Sequence, residues 1–206
     1  EHRFERDSMY GSCIFDNGKY CIQFNTFLND SAGMQVLKEW EEDCLNWCYY
    51  RCEDGRLGDQ KYTDKWKQSY SCVHESENLG VGAAPWNLHQ YRMSRNKDRE
   101  IYMEYRGRKY PLVFYHFEGM KYLDNGSIYL SIWKPEAGGM GRKIRLIYGA
   151  YIRRVLSARM FLARAYHVTF EQMQVDHTLY FEGERSFKQL CKEQGVLDGS
   201  RKWFYN

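Results

Sequence analysis

Residues 111–121, Pro-Leu-Val-Phe-Tyr-His-Phe-Glu-Gly-Met-Lys, decide how the chain is read. Leu112, Val113, Phe114 and Tyr115 form an unbroken apolar run, the pattern of a strand buried on both faces inside an α/β or mixed sheet. His116 ends that run. A polar ring at the end of a buried strand costs free energy unless it has a partner. One explanation is chemical: an imidazole for a divalent metal, then Gly119 to let backbone amides approach an anion, then Lys121 to neutralise charge. The other is structural, a core histidine bonded to backbone and followed by a turn glycine. Eleven residues leave both open.

Working outward, Gly107-Arg108 separates residues 102–106 from residues 109–117. A glycine first in a two-residue turn is a hairpin signature, so the strand carrying His116 is expected to fold back on its predecessor. Earlier, a short strand over residues 71–75 (SCVHE) leads into residues 78–87, NLGVGAAPWN, whose glycines permit close backbone approach to a ligand. Their spacing is that of neither a P-loop nor a dinucleotide fingerprint. Trp86 can stack on a sugar ring or seal the loop. Residues 53–62 read as a loop entering a short helix through Trp66, with Asp59 and Gln60 near its start. There a carboxylate is favoured by the helix dipole whatever its use. The functional alternative has the pair orienting an acceptor hydroxyl.

Residues 20–28 read as a strand with Gln23 and Asn25 side by side on one face, which suits sugar hydroxyls or an internal hydrogen-bond pair equally. Asn29-Asp30-Ser31 caps a helix expected over residues 32–51, with Val36, Leu37, Trp40, Cys44, Trp47 and Cys48 as its apolar stripe. Cys44, Cys48 and Cys52 recur every four residues. That spacing fits no zinc or iron–sulfur pattern, and they read as small buried hydrophobes. Residues 142–170 carry seven Arg and Lys, no acid, and apolar residues at helical spacing. Such a helix can lie on an anionic membrane surface, or dock with its basic face in water.

With 206 residues, 43% hydrophobic and 17% aromatic, the chain is long enough for a sizeable core and is not disordered. A net charge of +3 is too small to imply a nucleic-acid partner. Seven cysteines, an odd number, fit reduced thiols in a cytoplasm better than a secreted disulfide framework. No run approaches the roughly 20 apolar residues of a spanning helix. A cysteine hydrolase pairing Cys44, Cys48, Cys52 or Cys72 with His74 or His116 lacks any nucleophile signature. The chain opens on Glu1-His2-Arg3-Phe4 without a methionine, and the expectation is that its beginning is missing.

Taken in order, Gly58-Asp59-Gln60, Trp86-Asn87 and the strand ending His116-Phe117-Glu118-Gly119 resemble the C-terminal half of bacterial glycosyltransferases that use nucleotide-diphospho-sugars. The glycogenin and lipopolysaccharide galactosyltransferase group, glycosyltransferase family eight, is the nearest comparison. The resemblance covers roughly residues 1–125. It implies a partial nucleotide-diphospho-sugar transferase fold over residues 1–135, a mixed sheet with flanking helices, and the charge and spacing of the residues themselves add a basic helical extension over residues 136–206. It also implies that His116 ligates Mn2+ (or Mg2+), that Gly119 and Lys121 touch the diphosphate, and that Asp59 and Gln60 face the sugar and acceptor. Gln23, Asn25, Trp86 and Asn87 complete the expected substrate contacts. The partners are then a nucleotide-sugar donor and a glycan or lipid-linked acceptor, and the expected location is cytoplasmic or peripheral at the inner membrane face. Three features depart from the family pattern. The lysine stands two places after the glycine, Gln23-Phe24-Asn25 replaces an Asn-x-Gly, and no Asp-x-Asp occurs. In the family that last motif belongs to the N-terminal half. A non-catalytic carbohydrate- or membrane-binding module using Gln23, Asn25, Trp86 and the basic helix is the competing reading.

Overall fold

Asp30 turns its carboxylate onto the backbone of the first helix, α1 (Ser31–Asn46), where Gly33 N donates to Asp30 Oδ1 at 2.7 Å. The computed structural model describes residues 18–124, 126–132, 138–168, 174 and 196–197. The chain divides into two units, Glu1–Asn78 and Leu79–Asn206. In the first unit α1 stops five residues short of its expected end, because Trp47 is extended (φ −159°, ψ 120°). Aromatic packing accounts for the stop. Trp47 is buried edge-on to Tyr49 with the Arg56 guanidinium over its ring, and its carbonyl accepts from Tyr62 Oη at 2.6 Å.

The early stop dissolves the cysteine stripe. Only Cys44 lies in the helix, whereas Cys48 and Cys52 fall beyond it and are exposed, so they are not the buried hydrophobes the spacing suggested. Of the expected apolar stripe within α1, only Val36 is fully buried. Trp40 instead joins an aromatic trio with Phe27 and Trp66, its ring 5.4 Å from that of Trp66. Trp66 opens a one-turn helix, α2 (Trp66–Ser69), which continues a 3₁₀ turn over Lys61–Lys65. This is the short helix expected from the sequence.

Residues 19–30 run as irregular backbone rather than a strand, and residues 71–75 do the same. The first of these segments is held by side chains. Lys19 N donates to Asp64 Oδ1 at 2.6 Å, Tyr20 Oη donates to Glu75, and Phe27 packs into the tryptophans. Alternating polarity alone provides no pairing partner.

The second unit is built on an antiparallel meander, β1 (Arg92–Arg95), β2 (Ile101–Tyr105) and β3 (Arg108–Pro111). Met93 and Met103 pair across it and face inward. The hairpin is as expected, one residue out of step: Arg106 (φ 49°) and Gly107 (φ 78°) make the turn. Two successive left-handed residues give the turn whose twist matches its strands. A second small antiparallel sheet orders β4 (Lys121–Tyr122), β5 (Ile128–Tyr129) and β6 (Val196–Leu197).

The first half of a 27-residue helix, α3 (Met140–Tyr166), closes this core. Ile147, Tyr148 and Ile152 are sealed against Tyr115, Leu130 and Met103. Tyr148 Oη donates to Leu130 O at 3.1 Å, which leaves the Tyr115 hydroxyl to donate to Tyr148 at 2.9 Å. Lys143 is also buried, its Nζ donating to the carbonyls of Leu88 (3.1 Å) and His89 (3.0 Å), and burial pushes its pKa down. It belongs to the core and not to the solvated basic face. Because α3 packs in one core with residues from Leu79 onward, the division expected at residues 135–136 falls inside the second unit. The architecture is mixed α/β with small antiparallel sheets and a C-terminal helix.

Candidate functional site

In the second unit the glycine-rich loop and the strand leading to His116 meet backbone to backbone. Val113 N donates to Gly80 O at 3.1 Å, Ala83 and Tyr115 form a parallel bridge, and His116 N donates to Ala83 O at 2.9 Å. The segment is thus not a strand buried on both faces. The sheet strand β3 ends at Pro111, Val113 is 59% exposed, and Tyr115 alone of the central run is buried. Among the described residues the meander has three strands, and this run pairs with the glycine-rich loop instead.

That loop is tied by Asn87. Its amide Nδ2 donates to Gly82 O at 2.7 Å, and its Oδ1 accepts from Ala84 N at 2.9 Å. Asn87 is completely buried. The substrate contact expected of it is therefore corrected: a side chain without accessible surface, bonded at both ends of its amide, positions the loop. Trp86 is 7% exposed, with its ring edge-on to His116 at 5.5 Å. Of its two readings, the sealing one describes it, since a ring so covered has no free face for a sugar.

His116 is half-buried. Burial lowers its pKa below 6.5, against a smaller raising effect from the Glu118 carboxylate. The imidazole is thus held neutral at neutral pH, the form that ligates a metal or accepts a hydrogen bond. Glu118 stands in the quoted motif, in the turn that follows His116, where the sequence assigns it no role of its own.

Gly119 has φ +69°, and a Cβ on it would overlap the Ser131 side chain. The close approach that requires a glycine here is therefore made to the protein's own chain. Lys121 follows in β4, opposite Tyr129, and is half-buried.

The remaining candidates lie in the first unit. Asp59 is exposed in a turn that follows Gly58 (φ 51°), and its carbonyl accepts from Trp40 Nε1 at 2.9 Å. Gln60 stands at the head of the 3₁₀ turn without making a side-chain cap, its carbonyl accepting from Thr63 N and Oγ1. The carboxylate of Asp59 is thus left at the surface beside a helix start. Burial, then Cys48, then Asp59 push the Cys44 thiol up to about 11, the reverse of an activated nucleophile. Gln23 is half-buried and Asn25 exposed, on irregular backbone where they no longer share a sheet face.

A divalent ion needs several donors converging on one point. Among the described residues no three His, Cys, Asp or Glu side chains gather in this way. His116 and Glu118 alone are too few donors to hold such an ion.

Over 104 residues the chain is 31% identical to the uncharacterized protein YfnD of Bacillus subtilis (strain 168), an alignment covering 50% of this chain and 32% of that protein. It is 36% identical over 104 residues to the uncharacterized protein YfnF of the same organism, covering 50% of this chain and 33% of that protein. The chain spans about a third of the length of these curated relatives. No protein-family pattern matches it. No solved structure matches it either.

Proposed function

We propose that the chain is part of a glycosyltransferase that moves a sugar from a nucleotide-diphospho-sugar to a glycan or lipid-linked acceptor. One observation carries the reading. Two motifs about thirty residues apart, which the family resemblance takes as parts of one site, are joined through the Ala83–Tyr115 bridge, with Trp86 against His116. Breaking the sugar–phosphate bond leaves negative charge on the diphosphate, which cations and oriented donors stabilise. The Lys121 ammonium suits that task, and a neutral, half-buried imidazole at residue 116 suits a metal ion that would share it. The exposed Asp59 carboxylate suits an acceptor hydroxyl. The Mn2+ or Mg2+ that the resemblance implies would draw on His116 as one ligand and would need others beyond the described residues. The competing binding-module reading is weakened by the burial of Trp86, which was to supply its stacking face.

The test is release of nucleoside diphosphate from a panel of nucleotide-sugars by the longest natural form of the protein, with and without Mn2+. His116→Ala is expected to lower metal-stimulated turnover on the order of 100-fold while the fold survives. Equal turnover in the variant removes His116 from the site. No donor hydrolysed with or without Mn2+ ends the transferase reading.

A further inference from the structure

The two readings of the basic helix divide along its length. Up to Ile152 α3 is a docked helix, but its last fourteen residues, about 21 Å at 1.5 Å per residue, contain no fully buried side chain. Their inner side still meets the unit: the Arg159 guanidinium lies over the Tyr122 ring at 5.6 Å. The side turned away from Ile147, Tyr148 and Ile152 carries residues 153, 157, 160, 161 and 164, spaced i, i+4, i+7, i+8 and i+11. On it Met160 is 56% and Phe161 61% exposed, at an open, mostly apolar depression also lined by Ser157, Arg164 and Ala165. Arg153 and Arg164, both exposed, stand on either side of them. A helix face that needs only to be solvated has no use for two large apolar side chains at its centre.

We infer that this outward face of α3, Met160 and Phe161 between Arg153 and Arg164, lies on an anionic lipid surface. Charge complementarity selects that occupant. Residues 138–168 contain no Asp or Glu, and Arg142, Arg145, Arg153, Arg154 and Arg164 are all exposed. A polybasic helix with apolar side chains between its arginines fits an interface where headgroups take the charge and the acyl boundary takes the rings. Nucleic acid would engage the arginines, but a net charge of +3 is too small to imply that partner, and a helix partner would be expected to answer the arginines with acids. The contact is peripheral, since no helix among the described residues is long and apolar enough to cross a membrane. The inference does not depend on the transferase reading.

The experiment is co-sedimentation of the full chain with vesicles of phosphatidylcholine, with and without phosphatidylserine, at low and at high salt. Binding is expected only with phosphatidylserine and is expected to weaken at high salt. Arg153→Gln with Arg164→Gln is expected to lower partition on the order of 30-fold. Met160→Ser with Phe161→Ser, which keeps every charge, is expected to lower it at least about 10-fold. All four side chains are exposed, so thermal unfolding of both double variants is expected to match the parent. No sedimentation at low salt overturns the inference, as does binding indifferent to the Met160 and Phe161 pair. Self-association lost in the serine variant without any vesicle binding would assign the face to a second copy, and duplex DNA bound equally by the parent and that variant would assign it to nucleic acid. Either result also overturns it.

Discussion

Replacing Asn87 tests whether this residue organises the loop or meets a ligand. In Asn87→Ala, Gly82 O and Ala84 N each lose a buried partner. An orphaned buried group costs about 1–3 kcal/mol, so the variant is expected to lose about 2–6 kcal/mol. Asn87→Asp is the sharper probe. It keeps the acceptor for Ala84 N but sets a carboxyl oxygen against Gly82 O, where only the protonated acid can donate. Burial raises the pKa of such a carboxyl above its unfolded value of about 3.9. The folded state therefore holds the proton more tightly, and the variant's stability relative to the parent is fully present below the unfolded pKa. It is lost as pH rises through the folded pKa. The assay is urea unfolding of the full chain across this range, with hydrogen exchange of peptides spanning residues 80–90 to localise the loss. A cost under about 1 kcal/mol for Asn87→Ala, or an Asn87→Asp variant whose stability ignores pH, would refute the reasoning. So would weakened donor binding with an undisturbed loop.

Gly119→Ala forces a left-handed backbone on alanine and drives its methyl into Ser131, so a loss of more than about 1 kcal/mol is expected, read as a lower Tm. Adding Ser131→Gly, read against Ser131→Gly alone because Ser131 is itself left-handed (φ 57°), should recover the part due to overlap but not the part due to the φ of residue 119, and an unchanged Tm in the single variant would contradict the geometry. Titration of His116 by NMR should give a pKa below 6.5, and Glu118→Gln should lower it further. Because the folded state resists protonating this ring, its contribution to stability is complete above about pH 6.5 and declines as pH falls toward the folded pKa. A pKa above 6.5 would mean that the ring is solvated or paired. On the proposed transferase function, Asp59→Asn in the longest natural form of the protein should reduce turnover more than donor affinity, while equal losses in both would leave Asp59 with a purely structural role.

Local chemistry determined much of this protein. Asp30 before a helix, the glycine of a two-residue hairpin turn, the short helix through Trp66 and the long basic helix were all fixed by forces acting over a few residues. Those forces are capping, left-handed backbone and side-chain periodicity, and they need no distant partner. The elements misread share one feature, dependence on what lies across from them. Residues 19–30 and 71–75 have strand-like composition, but a strand exists only where another backbone accepts its hydrogen bonds. The end of α1 was set by a pocket for Trp47, and with it the exposure of Cys48 and Cys52. In the candidate site the sequence indicated His116, Trp86, Asn87 and Gly119 as residues needing an explanation. Only the tertiary structure divided them, leaving His116 half-open and neutral while Asn87, Trp86 and Gly119 are used up in holding the loop and turn around it. That division depends on burial and on which groups already have partners, quantities that arise only when distant segments meet.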